Sequence, residues 1–249
     1  MSRSLLVSEV FSAIQGEGAN VGRRQVFLRL AGCNIRCDYC DQPEALELAP
    51  GPCRVERTAG RRDWEQRSSP LAVDEVAEAV TRLWGQLPHH AVSLTGGEPL
   101  MQAGRLTQLL PLLADLPVCL ETNGTLPAGL AQVIEWVDEV SMDLKLPSVD
   151  GERVRPSIQR RFLELAATRP TTVKIVVGAG TDDRQLEQAT TMVAEVAPRS
   201  TVYLQPVTPF GAVTAGPTPE QVLGWQELCL ARHGDVRVVP QTHKLIGQL

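Results

Sequence analysis

The sequence predicts an α/β fold, a partial and open β/α barrel of about six parallel strands with an N-terminal strand extension. Two observations carry that prediction. Short apolar runs alternate with longer segments whose apolar residues recur every three or four positions, the order that right-handed βαβ crossovers produce. Aliphatic residues dominate while aromatics are 4% of the 249 residues, which suits a parallel sheet covered by helices. About six units fall short of the eight that a closed barrel needs, so the barrel stays open. Barrels of roughly 200–250 residues form one unit. With no linker-like stretch, residues 1–249 read as a single domain.

The elements follow in order. Residues 5–11 read as the first strand, and residues 12–18 as a loop whose glycines flank Glu17. Residues 25–30 form a second strand that runs into a cysteine-rich loop. Residues 43–70 stand out as an insertion, with four prolines, a charge-dense run around Arg61 and Trp64, and no clear period. A mobile loop is the favoured reading there and a lid over the site the alternative. Val73, Val76, Ala77, Val80, Leu83 and Trp84 then make a helical stripe. Strands follow at 91–95, 118–122, 139–145, 173–177, 201–207 and 236–239. Helices fall between them, the last opened by Thr218 as N-cap with Pro219 in the first turn.

Composition excludes several function classes. A net charge of -5 argues against a general nucleic-acid surface. No N-terminal run resembles a signal peptide and no apolar stretch is long enough to span a bilayer, so a cytoplasmic protein is expected. In a reducing compartment six cysteines point to metal chemistry or buried thiols. Cys119 and Cys229 read as small core residues, and Cys53 as a loop thiol or a spare ligand.

Cys33, Cys37 and Cys40 fall within eight positions. Such a loop can aim three thiolates at one metal centre. A structural zinc site wants four ligands. A four-iron cluster on three thiolates keeps one iron open, which the amino and carboxylate groups of S-adenosylmethionine can chelate. Zinc, or three unrelated buried thiols, remains the alternative.

With this CxxxCxxC signature the chain resembles the radical S-adenosylmethionine superfamily. Gly96, Gly97, Glu98 and Pro99 after a strand match that superfamily's GGEP turn, which contacts the methionine amino group. Residues 12–18, residues 27–34 and the Pro240–Lys244 stretch extend the likeness. Together they resemble the 7-carboxy-7-deazaguanine synthase family over all but residues 43–70. The resemblance implies conversion of 6-carboxy-5,6,7,8-tetrahydropterin to 7-carboxy-7-deazaguanine in queuosine-type deazapurine biosynthesis, by radical ring contraction with loss of ammonia. It implies a [4Fe-4S] cluster on Cys33, Cys37 and Cys40, and S-adenosylmethionine held by Tyr39, Cys40, Asp41, Gly96, Gly97, Glu98, Ser141, Asp143, Lys145, Gln205 and Pro206. Substrate contacts are expected from Ile14, Gln15, Gly16, Glu17, Arg29, Thr95, His243 and the terminal carboxylate of Leu249, with Glu17, Arg29 and His243 catalytic. It further implies a homodimer and a flavodoxin or ferredoxin as electron donor.

The residue types suit those roles. Glu17, or the backbone beside it, can pair with the amide and amine edge of a pterin. Arg29 can hold a carboxylate by a bidentate fork, with a strand-surface salt bridge as its other reading. His243 reads equally as a surface histidine, and Ser141 and Lys145 as ordinary strand-end polar residues. One position departs from the family, whose usual Cys-Asp-Thr places a threonine hydroxyl on Mg2+. Here Gln42 follows Asp41, and its amide oxygen is a longer-reaching candidate ligand. That departure keeps a paralogue acting on a related pterin or purine in play, beside a glycyl-radical activating enzyme and a cluster-bearing regulatory protein.

Overall fold

The computed structural model describes residues 3–48, 51–150, 154–210 and 213–248. Twelve strands occur among them. They are β1 (Ser4–Leu5), β2 (Val7–Ile14), β3 (Arg24–Leu30), β4 (Cys53–Glu56), β5 (Trp64–Arg67) and β6 (Leu71–Ala72), followed by β7 (Val92–Gly96), β8 (Val118–Thr122), β9 (Glu139–Asp143), β10 (Thr171–Val177), β11 (Val202–Pro206) and β12 (Val236–Val238). One ten-stranded sheet runs in the order β12-β11-β10-β9-β8-β7-β3-β2-β4-β5, and β1 pairs with β6 apart from it. From β3 through β7 to β12 every neighbouring pair is parallel. The sheet does not close among the described residues, as the count of βα units requires.

The N-terminal extension is β2, antiparallel to β3 from Val7↔Leu30 to Ile14↔Arg24. It continues three residues past the expected end at Phe11 because the antiparallel ladder persists to the turn, where Ser12 and Ala13 conceal the alternation.

The loop reading of residues 43–70 is corrected. A 3-10 turn at Pro43–Ala45 is followed by β4, parallel to β2, and β5, antiparallel to β4. Cys53 and Val55 are fully buried, so Cys53 is a core thiol rather than a loop thiol or a spare ligand. Arg54, between them, lies with its guanidinium 5.0 Å from the Trp64 ring centre. The carboxylate of Glu56 accepts the backbone N–H groups of Ser12, Gly60 and Arg62, which pins the turn of the hairpin to β2. Two inward residues in a four-residue strand leave too little period to see through so many charges.

The helices are α1 (Val73–Trp84), α2 (Ala103–Leu109), α3 (Pro127–Val133), α4 (Pro147–Asp150), α5 (Pro156–Ala166), α6 (Asp183–Val196), α7 (Pro219–Leu230) and α8 (Thr242–Leu245). Val73, Val76, Ala77, Val80 and Leu83 of the α1 stripe are buried as their spacing requires, and Trp84 is partly buried against the same core. Thr218 caps α7, its hydroxyl accepting the Gln221 N–H while the Gln221 side chain accepts the Thr218 N–H. Strand interiors such as Leu28, Leu94, Leu120, Val140 and Ile175 share one apolar core with the helices, and Cys119 and Cys229 are buried as read. No helix among the described residues is long and apolar enough to cross a membrane.

Limited trypsin digestion tests the corrected segment. Arg54 and Arg67 lie within strands and should resist cleavage in the native protein. Val55→Asp, which buries an unpaired carboxylate, should expose both sites.

Candidate active site

The site lies where the parallel strands of the sheet end. β3 finishes at Leu30 and the chain turns through Gly32, at φ +95°, a left-handed conformation that favours glycine. The Gly32 N–H donates to the Ala45 carbonyl (2.8 Å) and the Cys33 N–H to the Leu46 carbonyl (3.1 Å). Arg36 reaches back to the carbonyls of Cys33 (2.7 Å) and Ile35 (3.0 Å). These bonds shape a loop whose three cysteines stay partly exposed and line one cavity. Burial pushes the Cys33 and Cys40 thiols up, so a bound cation is needed to hold them as thiolates. Among the described residues no three His, Cys, Asp or Glu side chains converge on a point that would hold a single ion.

β7 delivers the glycine turn beside this loop. A Cβ on Gly96 would lie 2.0 Å from the Leu30 carbonyl oxygen, and one on Gly97 would lie 2.3 Å from that of Gly32. Only glycine lets the two strand ends approach so closely. Gly96 and Gly97 line the cavity, but Glu98 does not. It is fully buried and accepts the N–H groups of Leu100 (3.0 Å) and Asn123 (2.8 Å) and the Thr122 hydroxyl (2.9 Å). Its side chain therefore ties the glycine turn to the end of β8. Burial pushes its carboxyl up to about 7 against those hydrogen bonds.

The cavity floor is charged. Lys174 Nζ lies 2.6 Å from Glu17 and 3.5 Å from Asp143, and Lys145 Nζ lies 2.8 Å from Asp143 and donates to the Tyr39 hydroxyl at 2.8 Å. Burial works against the charge on Glu17, but Lys174 and the Gln241 amide outweigh it and hold the carboxyl below its usual range. Gln205 also donates to Glu17, at 3.1 Å. Two acceptors there, Gln205 Oε1 and Asp143 Oδ1, are buried without a hydrogen-bond partner. Unsatisfied acceptors in a cavity wall call for a ligand rich in N–H or O–H donors.

Arg29 stands on the opposite wall, in register with Thr95. Its Nε lies 2.9 Å from Glu9 and its guanidinium packs over the Phe11 ring, so the salt bridge and the cavity position coexist. Glu121 accepts from Gln15 (2.7 Å), Ser93 (2.5 Å) and Thr95 (3.2 Å).

The C-terminal tail closes one side. Thr242 donates its N–H to the Gly16 carbonyl (3.0 Å), and a Cβ on Gly16 would meet His243 Nδ1 at 2.3 Å. Asp41 pairs with Lys244 (2.9 Å) and accepts from Gln241 (3.0 Å). Burial opposes the Asp41 charge, and the Lys244 ammonium holds its carboxyl down nonetheless.

The expected residues Ile14, Gln15, Gly16, Glu17, Arg29, Tyr39, Asp41, Gln42, Thr95, Ser141, Asp143, Lys145, Gln205 and His243 all line this cavity. Pro206 lies off its wall, and Leu249 lies outside the described residues. Sequence reasoning missed Lys174, Glu121, Asn123 and Gln241. Lys174 had left a signal, a single cation inside the apolar run of β10.

An open parallel sheet carrying three thiols and a glycine turn at its strand ends defines a radical S-adenosylmethionine protein, and the Radical SAM superfamily model matches residues 28–193. Within that superfamily the chain belongs to the 7-carboxy-7-deazaguanine synthase family. It is 45% identical to the 7-carboxy-7-deazaguanine synthase of Geobacter sulfurreducens, over 98% of this chain and 97% of that one. Against the same-named protein of Methanopyrus kandleri the identity is 36%, over 97% and 93%. The crystal structure of QueE from Escherichia coli shares the fold, with a TM-score of 0.61 and 22% identity over 96% of this chain and 94% of that one. Membership implies a [4Fe-4S] cluster and S-adenosylmethionine. The residues present fit both, through the three cavity thiols, the glycine turn with no room for side chains, and the unpartnered acceptors of Gln205 and Asp143.

The Glu98 carboxyl makes a pH prediction. Its folded value of about 7 lies above the ordinary 4.5, so its contribution to stability is complete below about 4.5 and is lost as pH rises through about 7. Urea midpoints of cluster-free protein should fall across that window, and Glu98→Gln should flatten the fall.

Proposed function

We propose that the protein converts 6-carboxy-5,6,7,8-tetrahydropterin to 7-carboxy-7-deazaguanine with loss of ammonia, as a carbon–nitrogen lyase in deazapurine biosynthesis. The observation that carries this reading is a single cavity lined by three thiols, the arginine Arg29 and the carboxylate Glu17. Cys33, Cys37 and Cys40 would hold the cluster, and Gly96 and Gly97 would leave room for S-adenosylmethionine beside it; together the two would supply hydrogen-atom abstraction by a carbon radical.

The chain's own residues bind and orient. Arg29 holds the substrate carboxylate, its guanidinium steadied by Glu9 below and Phe11 beside it. Glu17 accepts N–H donors from the amide and amine edge, and Thr95 offers a hydroxyl from the neighbouring strand. Ser141, Asp143, Lys145 and Gln205 serve the S-adenosylmethionine side. The tail, seated on Gly16 with His243 at the cavity, keeps water from the reacting ring. Leu249 is the candidate to supply its terminal carboxylate.

Mg2+ would find Gln42 on the cavity wall. The adjacent Asp41 is already committed to Lys244 and Gln241, which leaves fewer anionic ligands for an ion. Family membership supports a homodimer in the cytoplasm served by flavodoxin or ferredoxin. The glycyl-radical activase reading is disfavoured by the full-length similarity to the synthase family.

Anaerobic reconstitution with iron and sulfide, then reduction and addition of S-adenosylmethionine and the pterin, with and without Mg2+, should yield 7-carboxy-7-deazaguanine by mass spectrometry. Cofactor cleavage without that product would reject the substrate. Arg29→Gln should lower product formation by about a hundredfold while cofactor cleavage persists. Gly16→Ala, which displaces His243, should raise KM for the pterin about tenfold or more without loss of the cluster's visible absorbance.

A further inference from the structure

We propose that Lys174 is a positioning residue for substrate recognition, holding Glu17 as a hydrogen-bond acceptor for the amino edge of a pterin. The inference rests on the functional reading above and names a residue that reading does not use.

Lys174 sits in β10 with Val173, Ile175 and Val177 fully buried around it. The pleat turns those three into the core and Lys174 toward the cavity. Strand pairing puts Lys174 opposite Asp143 of β9, yet its ammonium lies closer to Glu17, at 2.6 Å against 3.5 Å. Asp143 has its own cation in Lys145, 2.8 Å away. Asp41 has Lys244. Asp143 and Asp41 thus have cations of their own, and Lys174 is the partner of Glu17.

The match decides what Glu17 can offer. A charged carboxylate is acceptor-only, with about four lone-pair positions. Lys174, Gln205 and Gln241 occupy three, all by donating. The remaining position, and any that Gln241 gives up, can receive the N–H groups of an aminopyrimidinone edge. Without a cation, burial and the nearby Asp41 charge would favour the neutral acid. A carboxylic acid carries an O–H of its own, and a donor facing the donors of the ligand repels it. Lys174 therefore acts on the ligand through Glu17.

The charged and titratable groups facing this pair are Asp143 and Lys145 from the end of β9, Asp41 from the cysteine loop, and His243 and Lys244 from the tail. Lys174→Met also takes a cation from 3.5 Å of Asp143, so the control for that carboxylate is the double variant Glu17→Gln with Lys174→Met, in which position 17 cannot titrate.

The test is equilibrium binding of 6-carboxy-5,6,7,8-tetrahydropterin to holoenzyme with its cluster oxidised, where no turnover occurs, from about pH 5.5 to about pH 8.5. Lys174→Met should weaken binding about tenfold or more at the acid end and recover as pH rises and Glu17 ionises. Lys174→Arg, which keeps the cation, should restore the unmodified profile. In turnover the loss should fall on KM more than on kcat. A ratio of affinities constant across pH, or affinity unchanged in Lys174→Met, would overturn the inference while leaving the functional reading intact. Failure of the unmodified protein to bind the pterin at any pH would overturn that reading and the inference with it. If Lys174→Met does not fold, the double variant Glu17→Gln with Lys174→Met removes both charges. Its amide cannot titrate, so its affinity ratio to the unmodified protein should be flat with pH, and a slope there would equally overturn the inference.

Discussion

The approach of two parallel strand ends, β3 and β7, is the contact on which the rest of the site depends. Leu30 stands opposite Gly96, and side chains at Gly96 or Gly97 would collide with the backbone at Leu30, Gly32 and Ala45. Because both positions are glycine, the cysteine loop and the glycine turn form two walls of one cavity. Backbone bonds then transmit the fit. The Glu98 N–H donates to the Gly32 carbonyl at 2.8 Å, and the buried Glu98 side chain ties the turn to the end of β8 through Thr122 and Asn123. An acidic side chain with no contact to the cavity thereby shapes the wall that a cofactor meets.

Charge balance is the second constraint. Ionised side chains are costly to bury unless they are paired. Glu17 with Lys174, Asp143 with Lys145 and Asp41 with Lys244 meet that demand with partners from different parts of the chain. The pairing also shuts the cavity, because Gln241 and Lys244 belong to the tail while Glu17 and Asp41 belong to loops before β3 and after it. Closure of the site and ionisation of its acids are one arrangement. On the floor beside Glu17 the buried acceptors without a partner are Gln205 Oε1 and Asp143 Oδ1, which favours a ligand that presents N–H groups there.

The segment at 43–70 shows where charge hides structure. Its hairpin extends the sheet past β2, and its turn is held by Glu56. Arg62 in that turn also donates to the Gly247 carbonyl at 2.6 Å, so the hairpin reaches the closing tail. An element that read as a mobile loop thus stands beside the segment that covers the site.

The alternation of strands and helices, the open sheet, the cysteine triad and most of the cavity wall were legible from the sequence, because period and motif are local properties of the chain. Glycines in the 96–97 turn, and Glu17 between glycines, carried their meaning in their neighbours. The partner of Glu17 did not, since Lys174 lies 157 positions away and only the parallel register of β9 and β10 brings it to the floor. Nor could the sequence say that Glu98 faces away from the cavity or that Arg29 is both paired and on the wall. Those outcomes depend on which way a strand end turns and on what packs behind it. Tertiary structure decided them, because burial and pairing are properties of positions brought together across the sheet.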